Sequence, residues 1–410
     1  MSAAVGPGVV VVGAALAGIS VAEALRAHGH AGVIQLIDAD PQPQFDRPPL
    51  SKQILTGTWL PERALLRSAE QIASSGIDIR AGRRATGLDR AGKRVLLEDG
   101  QSLRYDTLVI ATGARARRLP TGIGMAGVHV LRGMEDALAL RLAMQAARNV
   151  AIIGAGFIGT EVAAAARSFG LPVALLDRVP TILSRVCGAE FAAAVARMHQ
   201  ARGVVIRLGV GVDRLLGSAR VEGVALSDGT QVAADLVVVG IGTEPDVEWL
   251  QGSDLESRGG VACDACGRAA PDVYAIGDVA SWRLGASESY LRVEQWSSAI
   301  EQARSVAARI ADPEFAERYV PAPSYVWSDQ YGVKLQFAGR FDAAQAEEKL
   351  IETESPDRFA ALYFEQGRLA ALAVCNWLAL FVKGRRLVAA RADSQTVLAA
   401  LRSAGSAALA

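Results

Sequence analysis

Three glycines, Gly154, Gly156 and Gly159, follow the apolar run Val150-Ala-Ile-Ile153 at the spacing GxGxxG. The chemistry available to such a turn is recognition of phosphate by backbone. The first glycine permits the tight turn, the second lets the chain approach a pyrophosphate, and the third lets the next helix pack on the strand. Free N–H groups at the helix start add a partial positive charge. Asp177 closes the next apolar run, 173–176. A carboxylate there accepts hydrogen bonds from both hydroxyls of a ribose and repels a 2′-phosphate. The pattern favours NADH over NADPH, and Arg178 beside Asp177 weakens that preference.

The same grammar occurs at the other end of the chain. Val9-Val-Val-Val12 leads into Gly13-Ala-Ala15-Leu-Ala-Gly18, a helix is expected over 19–28 with Gly29 as its stop, and a strand over 33–37 ends at Asp38. Ala15 stands where the middle glycine belongs, and its methyl group narrows the approach. One such loop is a weak signal. Two, each with strand, helix and terminal acid, imply two nucleotide sites in two doubly wound domains.

The elements that must position these loops continue the pattern. Strands are expected over 108–110, 236–239 and 273–276, running into Ala111-Thr-Gly113, Gly240-Ile-Gly242 and Gly277-Asp278. Pro321 and Pro323 mark a linker. Beyond it, 333–337 and 360–364 alternate as strands of an antiparallel sheet do. The fold class expected is α/β, two Rossmann-like doubly wound domains (FAD and NAD) plus an α+β C-terminal domain. The expected boundaries are 1–118 with 243–319, then 119–242, then 320–410.

Composition narrows the functions. The 410 residues are 51% hydrophobic, and 43 Lys and Arg balance 43 Asp and Glu. A nucleic-acid or anionic-membrane role has no electrostatic support. Met1 to Ala22 carries no charge, but it has no basic start and is interrupted by Gly6, Pro7, Gly8, Gly13 and Gly18. It reads as a buried strand and glycine turn rather than a signal peptide or span, and a cytoplasmic protein is expected. Of four cysteines only Cys263 and Cys266 are closely spaced, and the four histidines are scattered, so no metal set is expected. The pair reads as ordinary thiols, with a redox dithiol as the alternative.

Several further motifs stand in order: Arg47-Pro-Pro-Leu-Ser-Lys52, Ala111-Thr-Gly-Ala114, the second glycine loop with Glu161, and Gly240-Ile-Gly-Thr-Glu-Pro245. Tyr274-Ala-Ile-Gly-Asp-Val-Ala280, Arg292-Val-Glu-Gln-Trp296 and Trp327-Ser-Asp-Gln-Tyr331 complete the series. Over nearly its whole length the chain resembles the FAD-dependent NADH:ferredoxin reductases of monooxygenase and dioxygenase electron-transfer chains. These are putidaredoxin-reductase-like and share the glutathione-reductase-like fold. The resemblance implies that Gly13, Ala15 and Gly18 face the FAD pyrophosphate and Asp38 its adenosine ribose. Arg47 and Lys52 would lie along the flavin, with Ala85 meeting the adenine. Thr112, Gly113 and Arg132 would help hold the cofactor, and Asp278 would bond its ribityl or pyrophosphate oxygens. NAD would be held by Gly154, Gly156, Ile158, Gly159, Asp177, Arg185 and Gly242. Thr181 stands where the family often has Arg, and the stretch from Cys375 to Arg386 matches loosely.

Lys52, Glu161 and Trp296 take the catalytic positions of the family. The resemblance places Lys52 and Glu161 together near the flavin N5, and Trp296 at the start of a helix aimed at the pyrimidine ring, where a helix dipole steadies a reduced, anionic flavin. The plain readings are a surface lysine, a first-turn helix acid, and packing for Trp296 and Trp327. No Cys lies between Pro41 and Lys52, where disulfide reductases of this fold hold their redox pair. The implied cycle is hydride transfer from NADH to FAD, then single-electron transfer to an iron–sulfur ferredoxin, [2Fe–2S] in type, by a monomer or weak dimer. Lys383, Arg385 and Arg386 are candidates for a basic docking face, or simply a solvated one. The alternatives are an NADH oxidase or flavin-dependent reductase of a small-molecule acceptor, and an NADH-responsive redox sensor.

Overall fold

The computed structural model describes residues 8–121, 124–283, 289–312 and 324–402; Gly6, Pro7, Pro321 and Pro323 lie outside them. Two compact units divide the chain. The first is Met1–Asp46, Leu65–Arg115 and Thr243–Ala322; the second is Arg47–Ala64, Ala116–Gly242 and Pro323–Ala410.

In the first unit Val9–Val12 lies inside a six-stranded sheet. The order is Arg268–Ala270, Val273–Ala275, Thr107–Ile110, Val9–Val12, Ile34–Ile37, Asp78–Arg80. All neighbours are parallel except the edge strand Arg268–Ala270. Both faces of the central strand are buried, which is why four consecutive valines suit it. Val9 and Val11 pack with the helices Leu16–Ala27 and Trp296–Ala311. Val10 and Val12 pack with Val95, Leu97, Trp249 and Val279.

Both loop helices begin earlier than the sequence suggests. They span Leu16–Ala27 and Phe157–Ser168, whereas helical composition in the sequence begins only at 19 and at 161. Only three residues make each turn, so the third glycine already lies in the first helical turn. Gly29 ends the first helix as expected, at φ +80°. The His30 N–H donates to the Leu25 carbonyl at 3.0 Å and closes the Schellman turn.

In the second unit a fully parallel sheet runs Val204–Leu208, Val173–Asp177, Val150–Ile153, Leu236–Val239, Val128–His129. The same unit contains a five-stranded antiparallel sheet, ordered Tyr325–Gln330, Val333–Gly339, Arg368–Cys375, Phe359–Glu365, Glu347–Glu352. Alternation in Phe359–Glu365 does not separate buried from solvated residues, because both faces are covered. Ala360, Leu362 and Phe364 pack with Trp377, Leu380, Phe381 and Val388. On the other face Phe359 and Phe337 meet Phe191, with ring centroids 5.0 Å and 5.6 Å apart, and Phe157 meets Phe337 at 5.5 Å. These aromatic contacts fix the antiparallel sheet against the helices Phe157–Ser168 and Ala189–Gln200. Among the described residues no helix is long and apolar enough to cross a membrane.

Candidate functional site

Each glycine turn is built the same way. Gly13 and Gly154 have φ of +105° and +108°, and a Cβ on either would collide with a carbonyl oxygen, of Ala111 and Gly240 respectively. A Cβ on Gly18 or Gly159 would strike the carbonyl of Gly13 or Gly154, so helix and strand meet there backbone to backbone. Gly156 differs: a Cβ there meets nothing within 4 Å, leaving room in front of the helix start. Ala15 holds the same extended conformation, φ −74° and ψ −164° against −79° and −167°. The alanine therefore carries no backbone strain.

The terminal acids do more than wait for a ribose. Asp38 accepts from the Ala14 N–H at 2.6 Å and from the Asp40 N–H at 2.8 Å. Asp177 accepts from Ala155 at 2.7 Å and from Val179 at 3.0 Å. Each carboxylate thus ties its strand end to its glycine turn. Asp177→Ala is expected to raise KM for NADH by about ten- to a hundredfold, the equivalent of losing hydrogen bonds to a charged group. Bound FAD should stay constant when measured by flavin absorbance. Loss of flavin instead would reverse the assignment of the two turns.

The remaining residues expected at the NAD turn converge on it. The Leu183 N–H donates to the Ala155 carbonyl at 2.9 Å, drawing the segment that carries Arg185 over the turn. The Arg185 guanidinium lies 3.7 Å from where a Cβ of Gly242 would stand, and Gly242 itself has φ +100°. Ile158 is exposed at the start of the helix.

In the first unit Thr112 donates its hydroxyl to the Asp246 carbonyl at 2.8 Å, and Gly113 follows at φ +73°. Asp278 sits in the short turn Gly277–Val279, which is held when the Gly277 N–H donates to Gln302 Oε1 at 2.7 Å. Trp296 opens the helix Trp296–Ala311, and its indole N–H donates to Asp46 at 2.8 Å. Ahead of it Gln295 Oε1 is buried with no hydrogen-bond donor among the described residues. A buried orphan acceptor beside a helix N-terminus fits a ring N–H such as a flavin offers. Ala85 begins the strand Ala85–Asp89. The room at Gly156, the two acid-locked turns and this acceptor fit one dinucleotide per unit.

Three residues expected at the FAD, Arg47 and Lys52 along the flavin and Arg132 helping to hold the cofactor, fall in the second unit. Arg132 precedes the helix Met134–Ala146, and its N–H donates to Asp136 at 2.9 Å. Arg47 leads into Leu50–Ile54, a π-helical turn in which the Ile54 N–H reaches back to the Pro49 carbonyl at 3.0 Å. Such turns hold one residue more than an α-turn and concentrate at functional sites.

From that turn Lys52 Nζ lies 2.7 Å from Glu161 Oε1, and the two side chains are 10% and 3% exposed. Ser51 donates to the other Glu161 oxygen. Ser328 donates to Oε1 at 2.6 Å. Lys52 also donates to the Pro48 carbonyl at 3.0 Å. A buried ion pair survives only when its spare hydrogen-bonding capacity is met, and here three side chains meet that of Glu161. Ser51 and Ser328 were not legible as site residues.

The cysteines are free. Burial pushes the thiols of Cys263 and Cys375 up to about 12 and raises that of Cys187 further. No metal-binding group of three or more acids, histidines or cysteines occurs among the described residues.

The profile of the pyridine nucleotide-disulphide oxidoreductases matches residues 7–303, and that of a reductase C-terminal domain matches 325–404. A ferredoxin–NAD(P)(+) reductase of Sphingomonas sp is 36% identical, over 94% of this chain and 93% of its own length. The crystal structure of the ferredoxin reductase for the CYP199A2 system from Rhodopseudomonas palustris superposes with a TM-score of 0.87 at 34% identity, covering 92% of this chain and 93% of that one. The covalent putidaredoxin reductase–putidaredoxin complex matches at 0.88 and 31%, covering 98% and 99%.

Proposed function

The chain belongs to the pyridine nucleotide-disulphide oxidoreductase family, and on that premise we propose that it is an NADH-dependent ferredoxin reductase. It takes hydride from NADH through bound FAD and passes single electrons to a [2Fe–2S] ferredoxin of a cytoplasmic monooxygenase or dioxygenase chain. The observation that carries this reading is the duplication: one acid-locked glycine turn in each unit, one for a resident dinucleotide and one for a dinucleotide that is exchanged. Bound flavin supplies the conversion of a two-electron hydride into one-electron steps.

The chain's own residues supply binding and orientation. Gly154, Gly156 and Gly159 hold the NADH pyrophosphate on helix N–H groups, and Asp177 selects the unphosphorylated ribose. Arg185 reaches over the same turn. Lys52 and Glu161 stand in that unit, with Glu161 on the helix the turn begins, and orient the nicotinamide end for transfer. Gln295 and the helix start at Trp296 serve the flavin in the other unit. This reading routes no electrons through a thiol: 41–52 has no Cys, and Cys187, Cys263 and Cys375 are buried and hard to ionise.

An acidic iron–sulfur protein calls for a basic, partly apolar face. The helix Leu378–Ala389 offers one: Leu378 and Val382 are exposed, Lys383 and Arg386 follow, and the Arg385 guanidinium lies over the Tyr325 ring at 5.3 Å.

Anaerobic stopped-flow mixing with NADH, with and without a [2Fe–2S] ferredoxin and cytochrome c, tests the reading. We expect rapid bleaching of the flavin and cytochrome c reduction that depends on the ferredoxin. Rapid bleaching without ferredoxin-dependent turnover would move the protein to the small-molecule reductases. Very slow bleaching with a long-lived charge-transfer band would make it a sensor.

A further inference from the structure

Behind Glu161 the second unit contains a line of buried polar side chains. Glu161, Ser328, Gln330 and His199 are 4%, 0%, 1% and 0% exposed. Ser328 and Gln330 alternate on one face of the strand Tyr325–Gln330, and His199 lies in the helix Ala189–Gln200. Gln330 Nε2 is 2.9 Å from both Ser328 Oγ and Thr160 Oγ1. Gln330 Oε1 is 2.7 Å from His199 Nε2, and His199 Nδ1 is 2.9 Å from the Tyr331 hydroxyl.

The direction of every bond follows from its neighbours. Thr160 commits its single proton to the Gly156 and Phe157 carbonyls, both at 3.0 Å. Ser328 commits its own to the Glu161 carboxylate, at 2.6 Å. Both hydroxyl oxygens therefore need a donor, so the group of Gln330 that faces them is its NH2. Its carbonyl must then face His199, which fixes the imidazole proton on Nε2. Nδ1 is left as an acceptor, and Tyr331 donates to it. Burial holds His199 down at about 4, so the ring stays neutral above that pH and this tautomer persists. All donors along the line point one way, toward Glu161.

We propose that His199, acting through Gln330 and Ser328, is a positioning residue for the Lys52–Glu161 pair. The line keeps the Ser328 proton on Glu161 Oε1, the oxygen that also receives Lys52, and so sets the plane of the carboxylate and the place of the ammonium. This rests on the role of the pair proposed above. Removing His199 frees Gln330 to turn its carbonyl toward the hydroxyls, and Ser328 can then donate to the amide instead of the carboxylate.

Single-turnover reduction of the FAD-loaded enzyme over a range of NADH concentrations tests it. His199→Phe and the smaller change Ser328→Ala should each lower the limiting reduction rate about tenfold while Kd for NADH stays within about twofold. In a Glu161→Gln background neither should lower it further, since the residue they act on is already gone. Gln330→Glu, of the same shape, presents an acceptor to both hydroxyls and should slow reduction as much as Ser328→Ala. Equal losses with and without Glu161→Gln would overturn the inference and leave a packing role. So would unchanged rates with only a lower melting temperature. A Glu161→Gln enzyme of undiminished rate would overturn the role of the pair and the inference with it, whereas a slow Glu161→Gln enzyme beside a normal His199→Phe enzyme overturns the inference alone.

Discussion

Gly159→Ala is expected to abolish NADH-driven reduction while the protein still holds FAD. A methyl group there lands on the Gly154 carbonyl, which is backbone and has no rotamer to retreat into. The helix Phe157–Ser168 must then slide away from its strand, and the N–H groups at its start leave the position of the pyrophosphate. Geometry errors of about 1 Å around a reacting pair cost on the order of a hundredfold, so single-turnover reduction should fall at least that far. Glu161 rides the same helix and moves with it. The mirror experiment is Gly18→Ala, which strikes Gly13 in the same way. It should yield a colourless protein that still binds NADH, as read by nucleotide fluorescence. If Gly159→Ala lost flavin, or Gly18→Ala kept it, the turns would have to exchange roles.

Lys52→Met is the second large effect, and it separates stability from chemistry. The substitution leaves the Glu161 carboxylate buried with hydroxyl donors but no cation. Breaking a buried pair from one side costs about 3–5 kcal/mol. The remaining Ser51 and Ser328 bonds put the expected loss at the lower end of that range. Adding Glu161→Gln removes the stranded charge and keeps an amide oxygen for one serine, while the other hydroxyl can turn to accept from the amide NH2. The double variant should thus recover most of the lost stability in urea unfolding, yet reduce its flavin no faster than Lys52→Met alone. Recovery of both would mean that the pair holds the fold and has no separate part in hydride transfer. Recovery of neither would mean that the hydroxyl donors cannot hold an uncharged amide.

The duplicated turns were legible because backbone geometry writes itself directly into residue type. Gly13 and Gly154 need a positive φ, Gly18 and Gly159 need the absence of a Cβ, and Asp38 and Asp177 must stand at strand ends. The helices start earlier than their sequence suggests because the third glycine looks like part of a loop while serving as a packing contact within the helix. Glu161 and Lys52 could be singled out by motif, but not the shell around them. Ser328 and Gln330 are neighbours on one strand, but His199 comes from a distant part of the chain, and no local pattern joins it to them. The available clue was the pair of polar residues at alternate positions, Ser328 and Gln330, on the strand Tyr325–Gln330. Gln295 was hidden differently: its orphan acceptor is a property of burial, which a motif string does not express.

The π-helical turn at Leu50–Ile54 makes the Lys52 contact sensitive to the length of the chain as well as to its chemistry. A turn that spans five residues instead of four differs from an ordinary helix by one inserted residue. Loss of a single codon here would let the segment close as an α-helix. Residues on either side would keep their phase, because the extra residue is what the π-turn absorbs, but Ser51 and Lys52 inside the turn would take up different positions around the axis. Ser51 and Lys52 would be carried off the Glu161 side with every side chain intact. Spacing through this stretch is therefore under a constraint that substitution tables do not register, and homologous segments of unequal length should not be expected to present their lysine to the same carboxylate.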